Sequence, residues 1–130
     1  MSNQHPHSVN WFEIPVTNLD KAAALYATTL GLELKREVVF GVPHAILAAG
    51  DEASGRGVMG TLISDPKRAP RRGVGTVVFL HARDGVPACL ACAVLAGAKV
   101  VQPTTDIGPF GTAAQFEDLD GNVIGLHAPR

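Results

Sequence analysis

Asn18-Leu19-Asp20-Lys21-Ala22-Ala23-Ala24-Leu25-Tyr26-Ala27-Thr28-Thr29-Leu30-Gly31 reads as a helix with both ends marked. Asn18 offers a short polar side chain to the first free amides, as a good N-cap does. Leu19, Ala22, Tyr26 and Leu30 fall on one helical face. Gly31 stands where a helix stops in a left-handed residue. Upstream, residues 9–16 (Val-Asn-Trp-Phe-Glu-Ile-Pro-Val) are rich in β-formers and read as a strand. Pro15 cannot donate to a ladder, which puts it near the strand's end or on an edge. Downstream, residues 32–40, 43–49 and 57–63 read as three short strands, with turn signals at Gly41, Gly50-Asp51 and Gly55.

The same plan then returns. Residues 75–82 form a strand, Asp84 stands before a helix over 88–96 with Pro87 in its first turn, and Gly97 stops it. Strands follow at 98–102, 112–117 and 122–127, the last two joined through the hairpin signal Asp120-Gly121. Asn18 to Asp84 is 66 positions, and Gly31 to Gly97 is again 66. A repeated strand-helix-three-strand unit decides the architecture. The expectation is an α+β domain of two βαβββ modules, the first about 9–63 and the second about 74–128, with residues 1–8 a polar tail. Residues 64–73, with their prolines and basic side chains, read as an exposed linker. Each half would curl its sheet over one helix and leave a concave face between the halves, a normal place for a small-molecule site.

Composition narrows the classes. At 130 residues, one domain with an ordinary core is the default. A net charge of -1 gives no reason to expect nucleic acid or an anionic membrane as partner. No apolar run is long enough to span a bilayer. Two cysteines make no disulfide framework, and the N-terminal residues lack the pattern of a signal peptide, so a reducing cytoplasm is expected.

A family resemblance rests on two sets of residues. The first is Trp11-Phe12-Glu13-Ile14-Pro15-Val16, Asn18-Leu19-Asp20-Lys21-Ala22, Tyr26 and Leu30-Gly31-Leu32. The second is Phe116-Glu117-Asp118-Leu119-Asp120-Gly121-Asn122-Val123-Ile124-Gly125-Leu126-His127. Together they resemble the vicinal-oxygen-chelate superfamily (glyoxalase, bleomycin resistance and dioxygenase proteins) over nearly the whole chain. The closing segment is similar to a glyoxalase-like subgroup. The resemblance implies the two-module fold and, in members of known chemistry, one divalent metal held by His, Gln or Glu from the first and fourth strands of each half. Carried onto this chain, those positions fall on Trp11, Val77 and Gly125 and near Met59. None of these is a good ligand for a divalent ion, so no metal or other cofactor is expected. The resemblance also implies a homodimer, the usual closed assembly.

Strand alternation says what shares the cavity face. Trp11, Glu13 and Pro15 fall together, as do Val77, Phe79 and His81, and Val123, Gly125 and His127. Glu13, His81 and His127 are therefore candidate acid/base residues, with the Glu13 pKa raised toward neutrality by an apolar pocket. A displaced metal site and a purely structural Glu–His hydrogen bond are the competing readings. Trp11, Phe79, Phe110 and Gly125 are candidate ligand-binding residues. For Trp11 the burial habits of tryptophan favour core packing over ligand stacking. Residues 103–111 read as a Gly/Pro-punctuated loop, either a flap that brings Phe110 to a ligand or an ordinary long turn. Cys89 and Cys92 read as helix-packing thiols, His5 and His7 as tail residues, and Asp118 with Asp120 as a hairpin turn.

Three functions follow. The first is a metal-free protein that binds a small molecule between the modules. The alternative is a lyase, isomerase or dioxygenase using Glu13 with His127 or His81. The third is an interaction module whose cavity is filled by side chains.

Overall fold

The computed structural model describes residue 9, residues 11–47 and residues 58–130. The tail with His5 and His7, and the turn signals at Gly50, Asp51 and Gly55, lie outside the described residues. The chain runs β1 (Trp11–Pro15), α1 (Leu19–Leu30), β2 (Lys35–Val39), β3 (Val42–Leu47), β4 (Met59–Ile63), β5 (Val78–His81), α2 (Val86–Leu95), β6 (Lys99–Asp106), β7 (Thr112–Glu117) and β8 (Val123–Ala128). Two four-stranded sheets result, ordered β1-β4-β3-β2 and β5-β8-β7-β6. In each sheet the opening strand pairs parallel with the closing one, β1 with β4 and β5 with β8. The α+β duplication expected from the repeat is the observed architecture.

The helix ends show where the repeat holds and where it slips. Asn18 accepts from the Lys21 amide at 3.0 Å, and Gly31 closes α1 with φ 68. In the second unit Asp84 does not cap α2. Gly85 takes the N-cap position with no side-chain bond, and the helix begins at Val86. Asp84 instead lies 3.5 Å from the Arg83 guanidinium.

Each helix covers one face of its sheet. Ile14, Val16 and Leu62 of the first unit and Leu80, Ala82, Phe116 and Leu126 of the second are buried with Leu25, Tyr26, Leu30 and Leu90 in one shared cluster. The helices also pack on each other, so the two modules have a common core. The Tyr26 and Phe116 rings meet there at 6.3 Å, tilted by 52°.

The Asp118–Asn122 turn clamps the modules together. The buried Asp118 accepts from the Asp120 and Asn122 amides at 2.9 Å each, which fixes the hairpin turn. It also accepts from Asn122 Nδ2 at 2.9 Å and from Tyr26 Oη of α1 at 2.7 Å. Asn122 Nδ2 donates to the Pro15 carbonyl at 2.8 Å, and the Thr17 amide donates to Asp120 Oδ1 at 3.0 Å. Burial, and then the Asp118 charge, push the Tyr26 hydroxyl pKa well above its ordinary value. The hairpin reading of the two aspartates was right, and the structure adds that the turn ties one unit to the other.

One loop expectation is corrected. The segment 103–111 is not all loop, because β6 runs on through Asp106 before a short 3-10 turn at Gly108–Phe110. The ladder to β7 shifts register between Val100 and Gln102 and again between Gln102 and Thr105. Those irregularities, on the sheet's outer strand, admit Pro103, which has no amide to donate. The linker is mostly exposed, as expected, and two of its side chains reach back to the modules. Asp65 caps a 3-10 turn at Pro66–Arg68, Arg68 pairs with Glu13, and Arg72 pairs with Glu117 at 2.8 Å. No helix among the described residues is long and apolar enough to cross a membrane.

Candidate functional site

The sheet faces turned away from the helices carry the candidate residues, as the alternation predicted. On β1, Ile14 and Val16 go to the core, which leaves Trp11, Glu13 and Pro15 on the other face. On β5, Leu80 goes to the core and leaves Phe79 and His81. The register then sets Glu13 beside Thr61, Phe79 beside Gly125 and His81 beside His127. Glu13 therefore belongs to the first sheet, whereas His81 and His127 are neighbours on the second.

On the first sheet the polar groups are already engaged with one another. Trp11 is 40% exposed, not core, because its strand position faces away from α1. Its Nε1 donates to Glu13 Oε2 at 3.2 Å, and its ring lies 6.4 Å from that of His44. His44 is buried, with Nδ1 3.2 Å from Thr61 Oγ1. Glu13 Oε1 accepts from Arg68 Nη1 of the linker. The Arg68 hydrogen bond is the main reason that the Glu13 pKa lies below its ordinary value; partial burial opposes it and the Trp11 bond adds to it. The raised pKa expected from an apolar pocket is thus reversed by a cation 55 positions away in the chain.

The second sheet is open and mostly apolar. Phe79 is 48% exposed and lies flat over Gly125, where a Cβ would run into its ring. A cavity of about 490 Å³ rests on this face, lined by Phe79, Gln102, Thr105, Ile107, Gln115 and His127, with Ala113 and Ala114 in its floor. His127 Nε2 meets the Phe110 carbonyl oxygen at 2.6 Å. The Phe110 ring is 72% exposed on the loop but is not among the groups that line this cavity. Gln102 donates to Thr105 Oγ1 at 3.1 Å, and that hydroxyl donates to the Pro103 carbonyl at 2.7 Å. Sequence reasoning missed Gln102, Thr105, Ile107 and Gln115. The alternation of 112–117 did hold a signal for Gln115, which stands opposite in parity to the buried Phe116.

A second cavity, of about 590 Å³, lies where the modules meet. It runs between Glu13 and Pro15 of β1 and Val77, Gln115 and Val123 of the second unit, with Arg71 of the linker in its wall. The carried-over metal positions offer an indole (Trp11), a thioether (Met59), an alkyl group (Val77) and no side chain at all (Gly125). Among the described residues no three His, Cys, Asp or Glu side chains converge to hold an ion. The donor set does not fit the family's divalent metal. Cys89 is buried and its thiol pKa is raised, chiefly by that burial, which suits a packing residue and not a reactive one.

The family model of the Glyoxalase/Bleomycin resistance protein/Dioxygenase superfamily matches residues 8–126. Among solved structures the chain is similar to TnmS3, an antibiotic binding protein from Streptomyces sp. CB03234. The two are 30% identical over 100% of this chain and 99% of that one, with a TM-score of 0.66. It is also similar to a glyoxalase/bleomycin resistance protein from the same Streptomyces, at 28% identity over 93% and 100% of the chains and a TM-score of 0.65. A glyoxalase I mutant from Zea mays shares the fold at 19% identity, covering 94% of this chain and 47% of that one, with a TM-score of 0.72. No protein of curated function matches.

Proposed function

The chain belongs to the glyoxalase/bleomycin resistance protein/dioxygenase superfamily, and within it we propose that this member binds a flat, largely apolar small molecule on its second sheet, without a metal. The observation that carries the reading is the half-exposed Phe79 ring laid over Gly125 at the base of an apolar cavity. An exposed aromatic face with a few polar groups around it suits stacking of a planar ligand. The similarity to an antibiotic binding protein supports a sequestering role, in which the bound molecule is removed from solution rather than transformed.

The acid/base alternative is less well supported. Glu13 is held as a carboxylate by Arg68 and sits on the other sheet from His81 and His127. A general acid needs the opposite bias.

Thermal-shift screening against planar aromatic compounds, followed by calorimetry of the hits, tests the reading. Phe79→Ala is expected to weaken binding at least tenfold with little loss of stability; a hit whose affinity is unchanged in this variant would sink it. Elemental analysis after incubation with excess Zn, Mn, Fe or Ni is expected to give far less than one metal per chain. A stoichiometric metal that is lost in His127→Ala would replace the metal-free reading with a metalloprotein. The dimer implied by the family resemblance is a separate proposal, answered by sedimentation of the purified chain.

A further inference from the structure

His127 has one ring nitrogen committed and one free. Its Nε2 lies 2.6 Å from the Phe110 carbonyl oxygen. A carbonyl oxygen only accepts, so Nε2 carries the hydrogen. In the neutral imidazole this leaves Nδ1 as a bare lone pair that can only accept. Among the described residues nothing donates to it.

Around that lone pair the cavity lining is mostly apolar. Phe79, Ile107 and Ala113 have no side-chain hydrogen bonds to offer, the Gln102 amide and the Thr105 hydroxyl already donate, to Thr105 and to the Pro103 carbonyl, and Gln115, the remaining polar side chain of the lining, does not bond to Nδ1. An apolar ligand that displaces water here strips Nδ1 of its solvent donor and gives nothing back. A ligand with a hydroxyl in reach restores the bond. Sites built around a polar group of this kind reject the analogue that lacks its partner.

We infer that His127 makes the second-sheet cavity selective for aromatic ligands that carry a hydroxyl donor, such as phenols, through hydrogen bonding to its Nδ1. The inference rests on that cavity being the ligand site. The Phe110 carbonyl is the positioning group, since it sets the tautomer.

The test compares 2-naphthol with its methyl ether, 2-methoxynaphthalene, by calorimetry at about pH 8, above the ordinary imidazole range. The two probes share an apolar body and differ in the donor. The naphthol is expected to bind about tenfold tighter, the worth of one such bond, and the ratio to fall to near one in His127→Phe. Equal binding to the unaltered protein overturns the inference and leaves the proposed site standing. Binding of neither probe, or binding unaffected by Phe79→Ala, overturns both. The ¹⁵N spectrum of the histidine rings gives an answer that needs no variant. A hydrogen on Nε2, with the Nδ1 resonance moving when 2-naphthol is added, supports the inference. A hydrogen on Nδ1 overturns it.

Discussion

Phe12 and Phe79 each lie across a glycine of the neighbouring parallel strand, Phe12 over Gly60 and Phe79 over Gly125, yet on opposite faces of their sheets. Phe12 packs toward the helices with Ile14 and Val16, whereas Phe79 points away from them and is half exposed. The two pairs are built alike and differ by one residue of strand register. Side chains alternate across a strand, so one step carries the same ring from the core to the open surface. Repetition of a structural unit therefore does not repeat its surface. The first sheet spends its outward face on a charged cluster, Glu13 with Arg68 and Trp11, while the second keeps an apolar bowl.

The contrast can be broken at several points. The largest effect is expected where the two units are joined. Asp118→Ala removes the acceptor of four hydrogen bonds, including the one from Tyr26, and leaves that hydroxyl buried without a partner. A loss of about 3 kcal/mol is expected in urea unfolding, with Tyr26→Phe milder at about 1–2 kcal/mol.

Next come the paired glycines. Gly60→Ala drives a Cβ into the Phe12 ring on the core side, and about 1–3 kcal/mol of destabilisation is expected. Gly125→Ala meets Phe79, which can swing into solvent, so stability should fall by under about 1 kcal/mol while ligand affinity drops. Equal stability losses in the two variants would refute the assignment of one ring to the core and the other to the binding face.

The smallest effects belong to the charged cluster. Arg68→Ala should change stability by under about 1 kcal/mol, because the pair is partly exposed. It should shift the emission of Trp11, the single tryptophan, by freeing Glu13. Acid titration follows the same pair. The Glu13 pKa lies below 4.5 in the folded chain, so the pair's contribution is fully present above pH 4.5 and is lost as pH falls through the lower folded value. Trp11 emission should change below pH 4.5 as Glu13 takes up its proton, and in Arg68→Ala that change should move to higher pH. An acid transition that stays at the same pH in Arg68→Ala would contradict the ion pair.

Much of this was legible from spacing. The α1 boundaries followed from Asn18 and Gly31, because an amide side chain and a left-handed glycine are local devices that need no tertiary help. The faces of β1, β5 and β8 followed from alternation, which the pleat imposes on any strand. The start of α2 was misplaced because Gly85, through its backbone, took the role that Asp84's side chain suggested. The length of β6 was missed because bulges let a strand pass through Pro103, and bulges leave no mark in a pattern of apolar residues.

The sequence by itself determined the duplicated βαβββ plan and the face on which each strand candidate stands, since both rest on local periodicity and spacing, and its motifs carried the resemblance to the family. Only the tertiary structure decided what those side chains do. Arg68 reaches Glu13 across 55 positions and reverses the expected direction of its pKa. Trp11 is left half-open rather than buried, and His127 is tied to the Phe110 carbonyl. Charge, burial and tautomer depend on neighbours brought from elsewhere in the chain, and strand periodicity carries no information about which neighbours those are.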